Sequence, residues 1–344
     1  MRSRESEHPV RHLETGPAQA TGGPVPGSGK SGSSPDTRQD PAVQPNSRQL
    51  ERIREMNPDL VLSRVEVNPD GEVHDVVIVN RERVFRFPKS DWARASLQQE
   101  HDVLDLVREV VAMPVPLLDQ LTDDYGSYPY LPGSPLQHDL VMAQPGQIQD
   151  RLAWQIGIFM RQLHAIPMRV LRQRRIPTSE TVRNRDDWLR LLEGVQRELF
   201  PWMKASVCES VVRHFQPLLE DEGWLRYRPA LVHGDLRPQH ILIEPGASQI
   251  SGIIDFSASG VGDAAVDVAC LLYHYGESFV VRMGRFYPGI GQLIDRARFW
   301  AGTLELQWAL AGLRSSDPSW LVAHIGGARD ISPVGSPWWP AGGG

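Results

Sequence analysis

The chain has 344 residues, 41% of them hydrophobic and 23% charged, which leaves room for one large domain or two medium ones and ample material for a packed core. Its 42 acidic residues outweigh 36 basic ones, a formal net charge of -6 that excludes a chain-wide basic field for nucleic acid. Two cysteines, Cys208 and Cys270, cannot make a disulfide scaffold and suit reduced thiols. No stretch approaches the roughly 18 to 20 uninterrupted apolar residues of a membrane span, and no apolar segment follows Arg2 and Arg4. A cytoplasmic chain with neither a nucleic-acid nor a membrane partner is expected.

Residues 1–45 are rich in Gly, Pro, Ser, Gln and Thr without an apolar period, and read as a disordered tail. Gly27-Ser28-Gly29-Lys30 lies within it, with neither the preceding strand nor the following helix that a phosphate loop requires. A cap at Asn46 or Ser47 followed by Leu50, Ile53 and Met56 predicts a short helix. Val61–Val67, Val76–Val79 and Val84–Phe87 read as a small antiparallel sheet, with a turn at Asn68-Pro69-Asp70-Gly71. Apolar positions at helical spacing run from 93 to 111 and stop at Met113-Pro114-Val115-Pro116, and a strand is expected near 115–121. Tyr125 to Pro135 breaks all periodicity, as a linker between two lobes would.

Beyond that segment, helical periodicity returns at 147–165, 186–200, 206–221, 266–282 and 291–313. Short strands are expected at Ala230–Val232 with Ile241–Ile243, and at Ile250–Ile254, the last two joined by Pro245-Gly246-Ala247-Ser248. The pattern predicts an α+β chain in two lobes: a small antiparallel-sheet lobe over 46–126, a connecting segment over 127–135, and a mostly helical lobe over 136–330. Residues 331–344 read as an irregular tail.

The stretch richest in chemistry is Val232-His233-Gly234-Asp235-Leu236-Arg237-Pro238-Gln239-His240-Ile241-Leu242, followed by Gly252-Ile253-Ile254-Asp255-Phe256. Its polar clusters sit at the ends of short apolar strands, where side chains leave a packed scaffold and meet ligands. Phosphoryl transfer needs such a set: one carboxylate to orient the acceptor hydroxyl, and two further ligands for a divalent ion on the nucleotide phosphates.

The H-G-D-x-x-P-x-H pattern, the Ile254-Asp255-Phe256 that follows, and Gly262-Asp263-Ala264-Ala265-Val266-Asp267 resemble the aminoglycoside phosphotransferase family, which includes macrolide kinases and has a protein-kinase-like fold. Phe85-Arg86-Phe87-Pro88-Lys89, Leu163-His164 and Trp308–Leu313 fall in the family's order, so the likeness spans roughly 60–315. It implies Asp235 as the catalytic base or hydroxyl-orienting residue, with His240 and Asp255 holding Mg2+. His233 would brace the loop, with Asp263 and Asp267 tying it to the next helix and Asp267 the buried anchor. Arg86 occupies the usual position of a strand lysine on the nucleotide phosphates, with Glu100 as its helix partner and Lys89 as the competing cation. Val84 shares Arg86's strand face and would touch the base of ATP or GTP. The backbone from Ser127 through Tyr128 to Tyr130 would hydrogen-bond the purine. The loop at 68–74 carries one glycine, Gly71, where a phosphate-covering loop often has several.

Residues 57–135 contain 7 basic and 14 acidic residues, whereas 136–330 contain 21 of each. A neutral acceptor lobe gives a polycationic aminoglycoside weak electrostatic support, and the tyrosines and tryptophans there suit a macrolide or another natural-product alcohol equally. The reading is therefore a kinase that moves the gamma-phosphoryl of a nucleoside triphosphate to an antibiotic-like small-molecule alcohol. A metabolite kinase for a sugar or amino alcohol, and a nucleotide-binding regulatory module without turnover, are the alternatives. A metal hydrolase built on His233, Asp235 and His240 lacks the helix-borne ligand spacing of common zinc hydrolases.

Overall fold

A computed structural model describes residues 47–68, 73–244, 246, 248–315 and 334–335. The N-terminal tail, the Gly71 turn and most of the C-terminal tail lie outside the described residues. Those described fall into two compact units, one containing 47–183 and 223–301, the other 184–222 and 302–315.

In the first unit, helix α1 (Ser47–Met56) precedes strands β1 (Val65–Asn68), β2 (His74–Val79) and β3 (Arg83–Pro88). Helix α2 (Asp91–Val110) follows, opened by the Ser90 hydroxyl, which accepts from the Ala93 N–H at 3.1 Å. Strands β4 (Gln120–Leu121) and β5 (Gly126–Pro129) complete a five-stranded antiparallel sheet in the order β1-β2-β3-β5-β4. The segment expected to be an irregular linker therefore begins with a strand, seated between β3 and β4. Its four residues are too few for a period to show in the sequence.

Strand alternation gives this sheet two different faces. Phe85 and Phe87 join Ile53, Val77, Val79 and Tyr125 in an apolar cluster, and both phenylalanine rings lie 5.5 Å from that of Tyr125. Opposite them, His74, Val84, Arg86 and Tyr128 face α2, where Gly126 makes room for Leu97: a Cβ on that glycine would lie 2.9 Å from the leucine side chain. The sheet thus carries a cation and its partners on one face and aromatic carbon on the other, both buried.

Strand β6 (Ser134–Pro135) and helices α3 (His138–Met142), α4 (Gly146–His164) and α5 (Met168–Gln173) follow. After the second unit's helices come β7 (Ala230–Val232), a single 3-10 turn at Pro238–His240, β8 (Ile241–Ile243), β9 (Ile250–Ile253) and β10 (Gly260–Gly262). β8 forms the expected hairpin with β9 and also pairs with β6, whereas β7 pairs with β10. β10 had no apolar signature, since Gly260-Val261-Gly262 offers one side chain to the core.

The helix expected over 266–282 divides into α8 (Ala265–Tyr275) and α9 (Glu277–Met283) at Gly276, whose φ of 80° and ψ of 169° end the helical path. Helix α10 (Ile290–Ser315) starts in this unit and ends in the other.

The second unit holds α6 (Arg185–Gly194) and α7 (Ala205–Glu220) with the end of α10. Asn184 and Asp187 form a reciprocal capping box at the start of α6. The helix expected to run from 186 to 200 ends at Gly194 and continues as one π turn (Val195–Leu199) and one 3-10 turn (Phe200–Trp202). Arg314 on α10 clasps Glu198 in that π turn with two hydrogen bonds, at 3.0 and 2.9 Å.

Candidate active site

The loop after β7 is held by one buried carboxylate. Asp267 on α8, fully buried, accepts the His233 N–H at 2.9 Å and the Gly234 N–H at 2.8 Å, and takes a third hydrogen bond of 2.9 Å from His164 Nε2 on α4. Burial acts to raise its pKa, but the His164 hydrogen bond and the neighbouring imidazoles outweigh this and keep it below the usual carboxylate range. Tyr287 Oη lies 3.0 Å from His164 Nδ1 and completes the chain of polar groups. Asp263 binds the Ala265 N–H at 3.0 Å and receives Arg296, so it caps α8 rather than the loop.

Gly234 turns the chain at φ 86°, where an added Cβ would lie 2.6 Å from the Ala258 carbonyl oxygen. His233 braces the turn as a neutral imidazole: Nδ1 accepts the Asp235 N–H at 3.2 Å, and Nε2–H donates to the Ile254 carbonyl at 3.1 Å. Burial pulls its pKa down, which suits that neutral form.

The β8–β9 register, Ile241 opposite Ile253, brings the residues just outside the hairpin together. The Ile254 N–H bonds to the His240 carbonyl at 2.9 Å, and the chain then turns left-handed at Asp255, φ 64°. A non-glycine residue in that region costs roughly 1 kcal/mol or more, and it swings the carboxylate out of the strand path. Ser257 Oγ donates to Asp255 Oδ1 at 2.7 Å, while Oδ2 lies 3.3 Å from His240 Nε2. At the other edge of the ring, His240 Nδ1–H donates to the Asp235 carbonyl at 2.8 Å and lies 3.5 Å from Asp235 Oδ2. His240 thus bridges the two carboxyl groups.

From the sheet side, Arg86 Nη1 reaches both oxygens of Glu100, at 2.8 and 2.7 Å, and Nη2 lies 3.9 Å from Asp255 Oδ1. Glu100 also accepts the Phe256 N–H at 3.0 Å, which links α2 to the Asp255 turn. Burial opposes the charge on Arg86, but Glu100 and Asp255 outweigh it and hold the pKa above its ordinary value. Burial likewise opposes ionisation of Asp255, but His240, Arg86 and the Ser257 hydrogen bond win and hold it well below the carboxylate range.

The structure therefore gathers Asp235, His240, Asp255, Arg86 and Glu100 in one cluster. Lys89 does not enter it and pairs with Asp75 at 3.2 Å on the surface. Val84 and Tyr128 lie opposite one another on the Arg86 face, both buried. Ser127 is turned to the other face, its hydroxyl bound by Arg83 at 2.8 Å and donating to Gln120 at 3.0 Å. The Tyr130 N–H is engaged by the Glu82 carbonyl at 2.8 Å, and Pro129 has no N–H, so neither residue offers an amide donor to a purine.

Three further residues join the cluster without having stood out in the sequence. Ser257 holds Asp255, Arg237 Nε lies 3.1 Å from Asp235 Oδ2, and His74 Nδ1 lies 3.3 Å from Arg86 Nη2. Only the pairing register shows that His74 is a diagonal neighbour of Arg86.

With Nδ1–H directed at the Asp235 carbonyl, His240 Nε2 carries a lone pair that accepts from Arg237 Nε–H at 3.4 Å and lies 3.3 Å from Asp255 Oδ2, so Arg237 would have to give way to an ion held there. Two ligands at about 2.1 Å and a right angle on one octahedral ion stand about 3.0 Å apart, so the pair fits a shared cation. Among the described residues no group of three or more His, Cys, Asp or Glu side chains forms a metal site by itself. Further ligands to such an ion would come from phosphate oxygens and water, as is usual for Mg2+ with a nucleotide.

The family model described as "Phosphotransferase enzyme family" matches residues 64–300. The viomycin phosphotransferase of Streptomyces vinaceus is 29% identical over 274 residues, covering 76% of this chain and 91% of that protein. Among solved structures, the GDP complex of wild-type aminoglycoside 2'-phosphotransferase-IIIa superposes with a TM-score of 0.71 at 27% identity, over 82% of this chain and 96% of the other. A macrolide 2'-phosphotransferase type I, at 22% identity and a TM-score of 0.61 over 81% and 96% of the two chains, shares the fold. The chain is a phosphotransferase of this family, with a kinase-like fold in which the loop after β7, the hairpin turn and the sheet cation converge on one cluster.

Proposed function

We propose that this protein transfers the gamma-phosphoryl group of ATP or GTP to a hydroxyl of an antibiotic-like small molecule, and so confers resistance to that compound. The single observation that carries the reading is the convergence of Asp235 and Asp255 on the two edges of His240, with the Arg86–Glu100 pair beside them. The relatives named for viomycin and aminoglycosides support the choice of acceptor class. The small lobe, expected to end at 126, is taken to run on through β5 to Pro129, with the connection at 130–135 and the acceptor lobe at 136–330. The cytoplasm, where nucleoside triphosphates are abundant and the two free thiols stay reduced, is the proposed compartment.

In this reading Val84 and Tyr128 supply a buried apolar wall for the base, and Arg86 reaches the phosphates. His240 and Asp255 would hold Mg2+, which supplies neutralisation of the phosphate charge when bound. Asp235 orients the acceptor hydroxyl and takes its proton at Oδ2, the oxygen that now faces Arg237 Nε. His233, Gly234 and Asp267 act beneath it by fixing the loop. The neutral balance of 136–330 leaves acceptor selection to local groups rather than to a general field.

The test is purified protein with MgCl2 and ATP or GTP in separate series, against viomycin, an aminoglycoside, a macrolide, simple sugars and amino alcohols. Acceptor-dependent release of ADP or GDP with an antibiotic is the expected result, and Asp235→Ala should abolish it while nucleotide binding persists. Turnover confined to a sugar or amino alcohol would replace the antibiotic acceptor with a metabolite. Nucleotide binding without turnover on any acceptor would refute the transfer.

A further inference from the structure

We propose that His74 is a positioning residue for the Arg86 guanidinium, and that it makes arginine, rather than lysine, the cation this site requires. The inference rests on the reading that Arg86 handles the nucleotide phosphates.

The geometry gives Arg86 two separate anchors. Nη1 binds both oxygens of Glu100, at 2.8 and 2.7 Å, while Nη2 lies 3.3 Å from His74 Nδ1. An N–H of arginine only donates, so Nδ1 must be the acceptor, and the ring's proton must sit on Nε2. Nε2 in turn lies 3.3 Å from the Ala93 carbonyl, in the first turn of α2. One neutral tautomer therefore satisfies both contacts. The two residues lie diagonally across β2 and β3: His74 opposes Pro88, and Arg86 opposes Val76. Both are almost wholly buried, at 4% and 7% exposure, so an unmet polar atom on either would be costly.

Glu100 alone, gripping a single amino group, leaves the guanidinium plane free to turn about that contact. A second anchor on Nη2 fixes the plane and keeps that group 3.9 Å from Asp255, on the side where the carboxylates and His240 meet. A lysine ammonium is one nitrogen on a flexible stem and cannot present two amino groups in a fixed fork. Beside lysine, His74 would keep a buried nitrogen without its partner. The charged groups facing the imidazole are Arg86, Asp255 and Lys89. Burial, reinforced by the Arg86 charge, pulls its pKa down to about 4, which keeps Nδ1 an acceptor through the neutral range.

The experiment uses the full chain and four variants: His74→Leu, His74→Asn, Arg86→Lys and the double His74→Leu/Arg86→Lys. Nucleotide KM, acceptor KM, kcat and melting temperature are measured for each with ATP and GTP. His74→Leu should raise nucleotide KM about tenfold with acceptor KM unchanged, the size of one lost hydrogen bond to a charged group. His74→Asn places an oxygen near the Nδ1 position but abandons Ala93. It should recover nucleotide KM to within about threefold of wild type, while melting no higher than the leucine variant. In the Arg86→Lys background, adding His74→Leu should change nucleotide KM by less than about twofold, because the fork it served is gone. Equal nucleotide KM values for the leucine and asparagine variants would make His74 a packing residue and overturn the proposal, as would independent effects in the double variant. Imidazole 15N NMR of the wild-type protein reads the same claim without turnover or folding of a variant: Nε2 protonated supports it, Nδ1 protonated overturns it. A wild-type protein that transfers phosphate to no acceptor would instead sink the parent reading, and the NMR result would still decide the His74–Arg86 contact.

Discussion

Arg86 and Glu100 form a buried ion pair, with side-chain exposures of 9% and 0%. Breaking such a pair from one side leaves an uncompensated charge, at a cost of about 3 to 5 kcal/mol. Arg86→Met would leave the Glu100 carboxylate with the Phe256 N–H as its remaining hydrogen bond in the cluster. Glu100→Gln would keep an oxygen for that N–H but leave Arg86 with Asp255 at 3.9 Å and His74. Each single substitution should therefore destabilise by about 3 to 4 kcal/mol, a large share of a typical folding free energy of about 5 to 15 kcal/mol. Independent effects would sum to about 7 kcal/mol. The double variant removes both charges and should lose no more than about 4 kcal/mol, a coupling of about 3 kcal/mol. Urea unfolding followed by tryptophan fluorescence and by circular dichroism measures the four corners of the cycle. In parallel, nucleotide KM should rise in the double variant even where its stability recovers, since the cation is gone. Single losses that add to within about 0.5 kcal/mol would refute the coupling. Unimpaired nucleotide use by the double variant would refute the role assigned to Arg86.

Asp267→Asn should cost about 3 to 5 kcal/mol and nearly abolish transfer, because an amide cannot accept from both the His233 and Gly234 N–H groups while it takes the His164 hydrogen bond; thermal melting and kcat test this together. Gly234→Ala combines a left-handed φ of 86° with a contact of 2.6 Å to a backbone oxygen, and should lose at least about 2 kcal/mol and lower kcat more than it raises KM. Retained kcat in that variant would show that the turn does not position Asp235. Acid should destabilise the protein through His74, whose folded pKa of about 4 lies below the ordinary histidine value of about 6.5. The unfolded chain then binds more protons between those values, so this contribution is full above about pH 6.5 and falls away toward pH 4, by about 3 kcal/mol in all. His74→Asn should flatten that part of the stability-against-pH curve, and an unchanged slope would show that other groups titrate there.

The segments that sequence periodicity identifies are those whose burial is local and repetitive. Helices α2, α4 and α7 carry apolar stripes over four or more turns, and β2 and β3 stand out as short runs rich in β-branched and aromatic residues, Val76–Val79 and Val84–Phe87. The His233–His240 stretch and Asp255 were legible for a related reason, since polar residues at the ends of apolar strands are conspicuous. The tie of Asp267 to the loop and the pairing of Arg86 with Glu100 were legible through the family's ordered motifs, and the geometry agrees with both.

What tertiary structure alone decided are pairings between residues far apart in the chain, where no local signal exists. β5 is four residues long and becomes a strand because β3 and β4 flank it; β10 is two glycines and a valine held by β7. Gly276 is one of 30 glycines, and its left-handed φ, which ends α8, reflects where α9 must pack against α4. The side to which Ser127 turns, and the meeting of His74 with Arg86, depend on strand register, which a shift of one residue would reverse. Composition and motif determined the chemistry this chain can hold. Register and backbone handedness determined which of those groups meet, because hydrogen bonds between strands select one alignment among several that the side-chain pattern alone allows.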